Sequence, residues 1–145
     1  MNVPDHRHIS NGSVITLSGY CDQPYIVRND DNSWTCLMTT GTVREGQQGQ
    51  HIVAVRTHDQ GRTWSEPVTI EPPDGPEASW AMPFRTPFGR TYAFYTYNAD
   101  NLRTVLADEE FYRNRVDTLG KYAFKFSDDD GQPGRSDGTL SRLER

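Results

Sequence analysis

With 145 residues and a hydrophobic fraction of 34%, the chain has little apolar surface from which to build a dense core. Its net charge of −5 is modest and mixed in sign, and no basic stripe is present to neutralise a phosphate backbone, which argues against a nucleic acid partner. The polar segment Met1–Ser10 and the lack of any long apolar run predict neither a signal peptide nor a membrane partner, and hence a cytoplasmic location as written.

Short strand patterns follow one another along almost the whole chain. Each alternates or runs apolar with β-branched and aromatic residues, and each is bounded by Gly, Asn, Asp or Pro. The predicted strands are Ser13–Leu17, Tyr25–Arg28, Trp34–Thr39, His51–Thr57, Trp80–Arg85, Arg90–Tyr97 and Tyr122–Phe126. Helical character is confined to Leu102–Arg115, whose charges fit a solvated helix and an ordered insert equally well. The pattern indicates an all-β chain.

Two cysteines flank a turn predicted at Asp30–Asn32. If this turn closes a hairpin, Cys36 faces Tyr25–Val27 and lies several residues away from Cys21, which argues against a disulfide. Both thiols are therefore expected to be reduced. Their spacing matches no zinc pattern, and we expect neither a metal nor any other cofactor.

The predicted strands repeat in order. Each of two units is an antiparallel meander that ends in an acidic turn, Thr57–Gly61 in the first unit and Ser127–Gly131 in the second. A single twisted meander cannot cover both of its faces. Units of this kind therefore pack radially, as the blades of a β-propeller do.

The first acidic turn matches the Asp-box motif Ser/Thr-x-Asp-x-Gly-x-Thr-Trp. The chemistry of this motif is structural, because the carboxylate can accept turn amides, the glycine can adopt positive φ and the tryptophan can pack the hairpin against its sheet. The matching residues are Thr57, Asp59, Gly61, Thr63 and Trp64.

The Asp box and three further stretches, Gly19–Tyr25, Pro76–Trp80 and Tyr95–Asn101, resemble bacterial sialidase-like proteins of the sialidase (neuraminidase) superfamily. The similarity runs from about Gly19 to Gly131. It implies about two blades of a six-bladed β-propeller, built from antiparallel four-stranded meanders and truncated, with residues 1–131 forming this partial domain.

The second acidic turn begins as an Asp box and then departs from it. Ser127, Asp129 and Gly131 are correctly spaced, but the tail Gln132–Arg145 has no Trp and no strand pattern, and we expect it to be irregular. One choice of codons for the tail, read from the third base of the Gly131 codon, encodes x-T-W-S-E-R-R-Y-T-I-P, which completes the motif. The tail is thus either an out-of-frame peptide or a native disordered end.

Propeller geometry sorts the candidate site residues by position. In a four-stranded blade, the start of the inner strand and the loop between the second and third strands share one face, and the Asp box lies on the other. The loops Gly41–Gln50 and Asn98–Gly120 are therefore expected to overhang the same mouth as the two inner-strand starts.

Two carboxylates at the inner-strand starts, Asp22 and Glu77, are the candidate catalytic groups. The candidate substrate-binding residues are Gln23, His51, Trp80, Tyr97, Asp100 and Asn101. Each also has a structural interpretation. The carboxylates can cap strand edges, the Trp can belong to the core, the His can be a hydrogen-bonded strand residue, and the Asp and Asn can form turns.

The resemblance implies a glycoside hydrolase that acts on terminal sugars of glycans. The family binds the substrate carboxylate with three arginines and uses a Tyr–Glu pair as nucleophile and an Asp as acid/base. Here Asp22–Gln23–Pro24 occupies the place of the first arginine, and the loop that usually carries the Asp offers Glu45 and His51. The chain alone is expected to be inactive, and the alternative is a non-catalytic Asp-box module that binds carbohydrate or protein.

Two blades without neighbours also predict self-association through exposed blade faces. The side chains expected to remain partly uncovered are Trp34, Leu37, Ile52, Val55, Phe94 and Phe124.

Overall fold

The structure of the protein is a computed structural model. It describes residues 5, 7–15, 19–104, 108, 115–117, 119–128 and 141–142, the last two through their backbone only. Asp129, Gly131 and most of the tail lie outside the described residues.

The described strands form two antiparallel sheets, each with its strands in chain order. Sheet 1 contains β1 (Tyr20–Arg28), β2 (Trp34–Gly41), β3 (His51–Thr57) and β4 (Val68–Thr69). Sheet 2 contains β5 (Ala78–Arg85), β6 (Thr91–Tyr97), β7 (Lys121–Ser127) and β8 (Ser141–Arg142). A single 3₁₀ turn, Ile9–Asn11, precedes them in the described part of the chain. The prediction of an all-β chain of antiparallel meanders is confirmed.

Most predicted strands are present, with shifted ends. β1 begins at Tyr20 rather than Tyr25, because its first residues pair with the end of β2. The predicted strand Ser13–Leu17 is wrong at residues 13–15, which form no strand, and its remainder lies outside the described residues. Residues 102–104, 108 and 115 are not helical.

The tail prediction is wrong at two residues. Ser141 and Arg142 form β8, whose backbone pairs with Phe124 and Ala123 of β7. The short strand β4 pairs with Ala54 and Val53 of β3. Phe124 and Ala123 lie as far before Ser127 as Ala54 and Val53 lie before Thr57. The strand β8 therefore occupies the same fourth-strand position in sheet 2 as β4 does in sheet 1. Two paired residues are too short a segment to produce a recognisable strand pattern.

Both sheets carry the same irregularity near the start of their first strand. The pairing register shifts between Asp22 and Tyr25 in sheet 1 and between Ser79 and Met82 in sheet 2. Within each shift one residue adopts a left-handed backbone, with φ of 51° at Gln23 and 59° at Trp80. Such bulges redirect side chains and are frequent next to functional sites. The repeat seen in the sequence therefore extends to backbone detail.

The core lies between the two sheets. Leu37, Ile52 and Ala54 on one face of sheet 1 pack against small residues and Tyr95 on one face of sheet 2. The small residues are Ala78, Ala81, Ala93 and Ala123. Alanines on the receiving face let the larger side chains of sheet 1 approach closely, which explains how a chain with few apolar residues forms a dense interface.

The opposite face of sheet 1 is also buried at its central strands. Cys36, Met38, Val53 and Val55 form a second cluster, and Ile15 and Trp64 pack on it. This arrangement corrects the exposure prediction for Val55, whose cluster Ile15 and Trp64 cover. Leu37 and Ile52 were also predicted to be uncovered, but they lie in the core between the two sheets. Of the six side chains predicted to be uncovered, three are buried, namely Leu37, Ile52 and Val55.

The two cysteines are free, as predicted. Cys36 pairs with Ile26 across the first hairpin, within the predicted range and away from Cys21. Burial raises the pKa of the Cys36 thiol to about 11, so this thiol is protonated at neutral pH and behaves as a small apolar side chain.

Candidate functional site

Both sheets place their long loops at one common end, which we call the loop edge. Here β1, β3, β5 and β7 begin, β2 and β6 end, and the loop 42–50 and the described residues of the segment 98–120 lie. The register confirms the separation of the two ends, since His51 pairs with Thr40 at the loop edge and Thr57 pairs with Trp34 at the other end. The Asp box therefore lies away from the candidate site residues.

The Asp box is a turn closed by its own side chains. Asp59 Oδ1 accepts hydrogen bonds from the Thr63 amide at 2.9 Å and the Thr57 hydroxyl at 2.8 Å, and Oδ2 accepts the Thr63 hydroxyl at 2.7 Å. Gly61 has φ +85° and donates its amide to Thr57 Oγ1. Trp64 packs on the outer cluster of sheet 1. These contacts give the motif a structural function.

Acid should loosen this turn in a defined pH range. The hydrogen bonds from Thr63 and Thr57 lower the pKa of Asp59 to about 2. A depressed carboxyl pKa contributes stability above its unfolded value near 4, and this stability is lost as the pH falls through about 2. We expect Asp59→Asn to flatten the loss of thermal stability between pH 4 and pH 2. The matched variant Asp74→Asn, at an exposed residue, should keep the wild-type profile; two identical profiles for wild type and Asp59→Asn would contradict the assignment.

The second acidic turn is described only at its start. Ser127 ends β7 and pairs with Thr91, just as Thr57 ends β3 and pairs with Trp34. Its backbone position is therefore equivalent to that of the first Asp-box residue. Asp129 and Gly131 lie outside the described residues, so their part in an Asp box stays a prediction.

Glu77 connects the two long loops. Its side chain is 2% exposed, and its carboxylate accepts the Gly49 amide at 3.2 Å and the Asn98 side-chain amide at 3.3 Å and forms an ion pair with Arg103. A buried carboxylate that is held by three internal donors is poorly placed to exchange a proton with a substrate. These contacts hold the two loops together, and the catalytic role expected of Glu77 from the sequence stays a prediction.

A second set of contacts holds the same loops together. Arg115 Nη2 lies 2.7 Å from both Glu45 and the buried carboxylate of Asp117. The Val116 amide donates to the carbonyl of Gly46 at 2.9 Å. The loop of sheet 2 is thus bound to the loop of sheet 1 through backbone and charge together.

Asp22 lies at the start of β1 with Tyr20 as its neighbour. Its Oδ1 accepts the Gln23 amide at 2.9 Å. Burial raises the pKa of the Tyr20 phenol, and a hydrogen bond to Asp22 together with the charges of Glu45 and Asp117 raises it further. Tyr20 is therefore a neutral hydrogen-bond donor at physiological pH, and the half-buried Asp22 is the one predicted catalytic residue whose surroundings suit contact with a ligand.

Gln23 and Trp80 occupy the bulges described above and are both half-buried. The Trp80 amide donates to Thr39 Oγ1 of sheet 1 at 2.8 Å, which ties the second bulge to the first sheet. A left-handed backbone is unfavourable for a large side chain, by about 1–2 kcal/mol. Strain of this kind persists where surrounding contacts over-determine it and is frequent in binding sites.

The remaining candidates surround Glu77 or belong to the core. His51 Nδ1 lies 3.3 Å from the Gly49 carbonyl, and Asn101 Oδ1 accepts a hydrogen bond from Arg103 at 2.6 Å. Tyr97 packs against the core and meets Tyr95 edge to face, which makes it a structural residue in the main. Asp100 is exposed beside Asn101.

Within the described part of the chain, no three His, Cys, Asp or Glu side chains come together as metal ligands. There is also no helix among these residues with the length and apolarity needed to cross a membrane. Neither known protein families nor curated proteins yield a match to this chain. The geometry of the loop edge and the Asp-box motif are therefore the features from which a function can be inferred.

Several residues of the loop edge escaped sequence reasoning. Arg103, Arg115 and Asp117 belong to a charged segment that resembles a solvated surface, yet their charges are used in internal ion pairs. Tyr20 lies just before the predicted strand. One sequence signal could have pointed to these residues. When the two meanders are aligned, the loops at equivalent positions carry side chains of opposite charge.

Proposed function

We propose that the two sheets are two blades of an Asp-box propeller of the sialidase type, and that the loop edge forms part of a site for terminal sugars of glycans. In this proposal the chain contributes to a glycoside hydrolase and is not a complete catalyst. Asp22 contacts a sugar hydroxyl or the glycosidic oxygen, while Gln23 and Trp80 line the site.

The observation that carries the proposal is the repeated bulge at the loop edge. It presents a polar side chain at Gln23 and an aromatic one at Trp80, each on a left-handed backbone. An aromatic ring beside polar groups suits a sugar, because the ring stacks on C–H bonds and the polar groups bind the hydroxyls. The Asp box at the opposite end supports the same architecture.

A non-catalytic carbohydrate-binding module is the second candidate. It is favoured by the engagement of Glu77 in the loop contacts, which leaves Asp22 without a second free carboxylate of the kind that glycoside hydrolysis ordinarily uses. The stretch Asp22–Gln23–Pro24 also occupies the place where the family has its first arginine. Turnover and binding separate the two candidates.

We expect the chain to bind glycosides without hydrolysing them. A panel of fluorogenic sialosides and neutral glycosides should show no turnover above background, because the described residues supply neither the arginine clamp nor the activated nucleophile that the family requires. Turnover that Asp22→Ala abolishes would overturn this expectation and identify Asp22 as catalytic.

Binding should depend on Trp80. Calorimetric titration with the same glycosides should show affinity about tenfold weaker for Trp80→Ala, from the loss of one stacking contact. The matched variant is Phe88→Ala, which removes an aromatic ring that is 96% exposed in the β5–β6 turn at the other end of the sheet. Equal affinities for the two variants, or no binding by the wild type, would refute the proposed site.

A further inference from the structure

One threonine of sheet 1 contacts the bulge of sheet 2. Thr39 lies in the central strand β2 and is 1% exposed. Its Oγ1 accepts the backbone amide of Trp80, a residue 41 positions further along the chain, at 2.8 Å. Trp80 falls inside the register shift of β5, so β6 supplies no cross-strand partner to it. A hydrogen bond to the other sheet therefore replaces the ladder bond that the bulge removes.

The register places Thr39 between the two halves of the candidate site. In sheet 1, Thr39 pairs with Asp22 of β1 and with Ile52 of β3. Cross-strand neighbours share one side of a sheet, and Ile52 belongs to the core cluster between the two sheets. The pairing therefore places Asp22 on the side of sheet 1 that faces sheet 2. The threonine opposite Asp22 is the residue that bonds to Trp80.

The residue before Trp80 is also held from two directions. Ser79 is 1% exposed, and its hydroxyl donates to Gln50 Oε1 of sheet 1 at 2.8 Å. Its carbonyl accepts the Thr96 hydroxyl of β6 at 3.1 Å. The backbone thus enters the bulge from a fixed position, and the bond to Thr39 fixes the next amide. Contacts of this kind allow a large side chain to keep a left-handed backbone, here with φ of 59° at Trp80.

The Thr39 hydroxyl also has a purely structural interpretation, in which it satisfies a buried amide and leaves the direction of the indole unchanged. The backbone dihedrals at Trp80 set the direction of its Cα–Cβ bond, however, and a left-handed residue in a bulge directs its side chain differently from an extended one. The two interpretations differ in one consequence. A positioning residue affects ligand binding only while the indole of Trp80 is present.

We propose that Thr39 is a positioning residue, whose hydroxyl holds the Trp80 backbone in the left-handed conformation and thereby directs the indole to the loop edge, beside Asp22. The part that this plays in glycan binding rests on the proposed function. Because Thr39 is buried, it acts on a ligand through Trp80 and not by contact.

Replacement of Thr39 with valine tests the hold on the backbone without any sugar. Valine has nearly the same shape and suits a strand, but it removes the acceptor. In Thr39→Val we expect the amide and indole NMR resonances of Trp80 to shift and its amide to exchange faster with solvent. Thr39→Ser should restore the wild-type values. The matched variant Thr35→Val removes another buried hydroxyl from β2, at the opposite end, and should leave Trp80 unchanged.

Unchanged Trp80 resonances in folded Thr39→Val would overturn the proposal. If Thr39→Val does not fold, the wild-type protein still decides the matter through hydrogen exchange. A Trp80 amide that exchanges slowly supports the bond to Thr39, and one that exchanges as fast as an unprotected amide would show that the bond is not made.

Affinity for the glycosides shows whether the direction of the indole matters for binding. If the released indole takes the binding orientation about a fifth of the time, the dissociation constant of Thr39→Val rises about fivefold. The effect should vanish in a Trp80→Ala background, because the residue through which Thr39 acts is then absent. An equal loss in both backgrounds would assign Thr39 a merely structural role and overturn the proposal. If Trp80 responds as expected but the wild type binds no glycoside, the proposed function fails while the hold on Trp80 stands.

Discussion

Replacing Glu71 with alanine is expected to reduce the free energy of unfolding by about 3–5 kcal/mol, a large share of the stability of a small domain. Glu71 is 2% exposed and lies between the sheets. Its carboxylate accepts the Tyr95 hydroxyl at 2.5 Å and pairs with Lys125 at 2.9 Å, and the ammonium of Lys125 also donates to the Ile70 carbonyl. Removal of the carboxylate leaves a largely buried ammonium and a buried hydroxyl without their acceptor.

Urea unfolding followed by tryptophan fluorescence measures this loss. The variant Glu66→Ala changes an exposed glutamate on the other side of β4 from Glu71. Its free energy of unfolding should lie within about 0.5 kcal/mol of the wild-type value. The double replacement Glu71→Leu with Lys125→Met should recover much of the stability, because it removes both buried charges together. A Glu71→Ala variant as stable as Glu66→Ala would show that the cluster does not hold the sheets together.

Replacement of Gly120 with alanine is expected to have the second large effect. Gly120 has φ +110° at the start of β7, and an added Cβ would overlap the carbonyl oxygen of Tyr97 and lie 2.8 Å from Asn98 Cα. The left-handed backbone costs a residue with a Cβ about 1 kcal/mol, and displacement of the neighbouring backbone adds about 1–3 kcal/mol. The loop of sheet 2 should therefore separate from the end of β6.

Gly49 provides the matched control. It has φ +96° in the loop of sheet 1, with no atom within 4 Å of an added Cβ. Gly49→Ala thus carries the same backbone strain without the clash. We expect thermal melting of Gly120→Ala well below that of Gly49→Ala, and hydrogen exchange should show early loss of protection in β7. Equal melting temperatures for the two variants would contradict the close approach at Gly120.

Much of the strand layout could be predicted from sequence because it depends on local pattern. β2, β3 and β6 alternate or run apolar between turn residues, and the Asp box carries its own hydrogen-bonding groups within eight residues. The order of these signals also predicts the two meanders. The strand patterns and the Asp box lie in neighbouring residues of the chain, so they can be recognised without knowledge of the tertiary fold.

Features that depend on distant contacts could not be predicted in this way. The strands β4 and β8 are two residues long and exist through pairing with their neighbours. Glu77 is buried and contacts Arg103, which lies 26 residues later in the chain. Coverage of the outer face of sheet 1 by Ile15 and Trp64 likewise follows from the fold, which is why Val55 was expected to be exposed.

We propose that the loop edge binds sugars, and an NMR titration of the isotope-labelled chain with a sialoside and a neutral glycoside can show this binding residue by residue. We predict chemical-shift changes at Gln23, the indole of Trp80 and Asn101, and unchanged resonances at Gly61 and Thr63 in the Asp box at the opposite end. Shift changes centred on the Asp box, or none with either sugar, would contradict the claim.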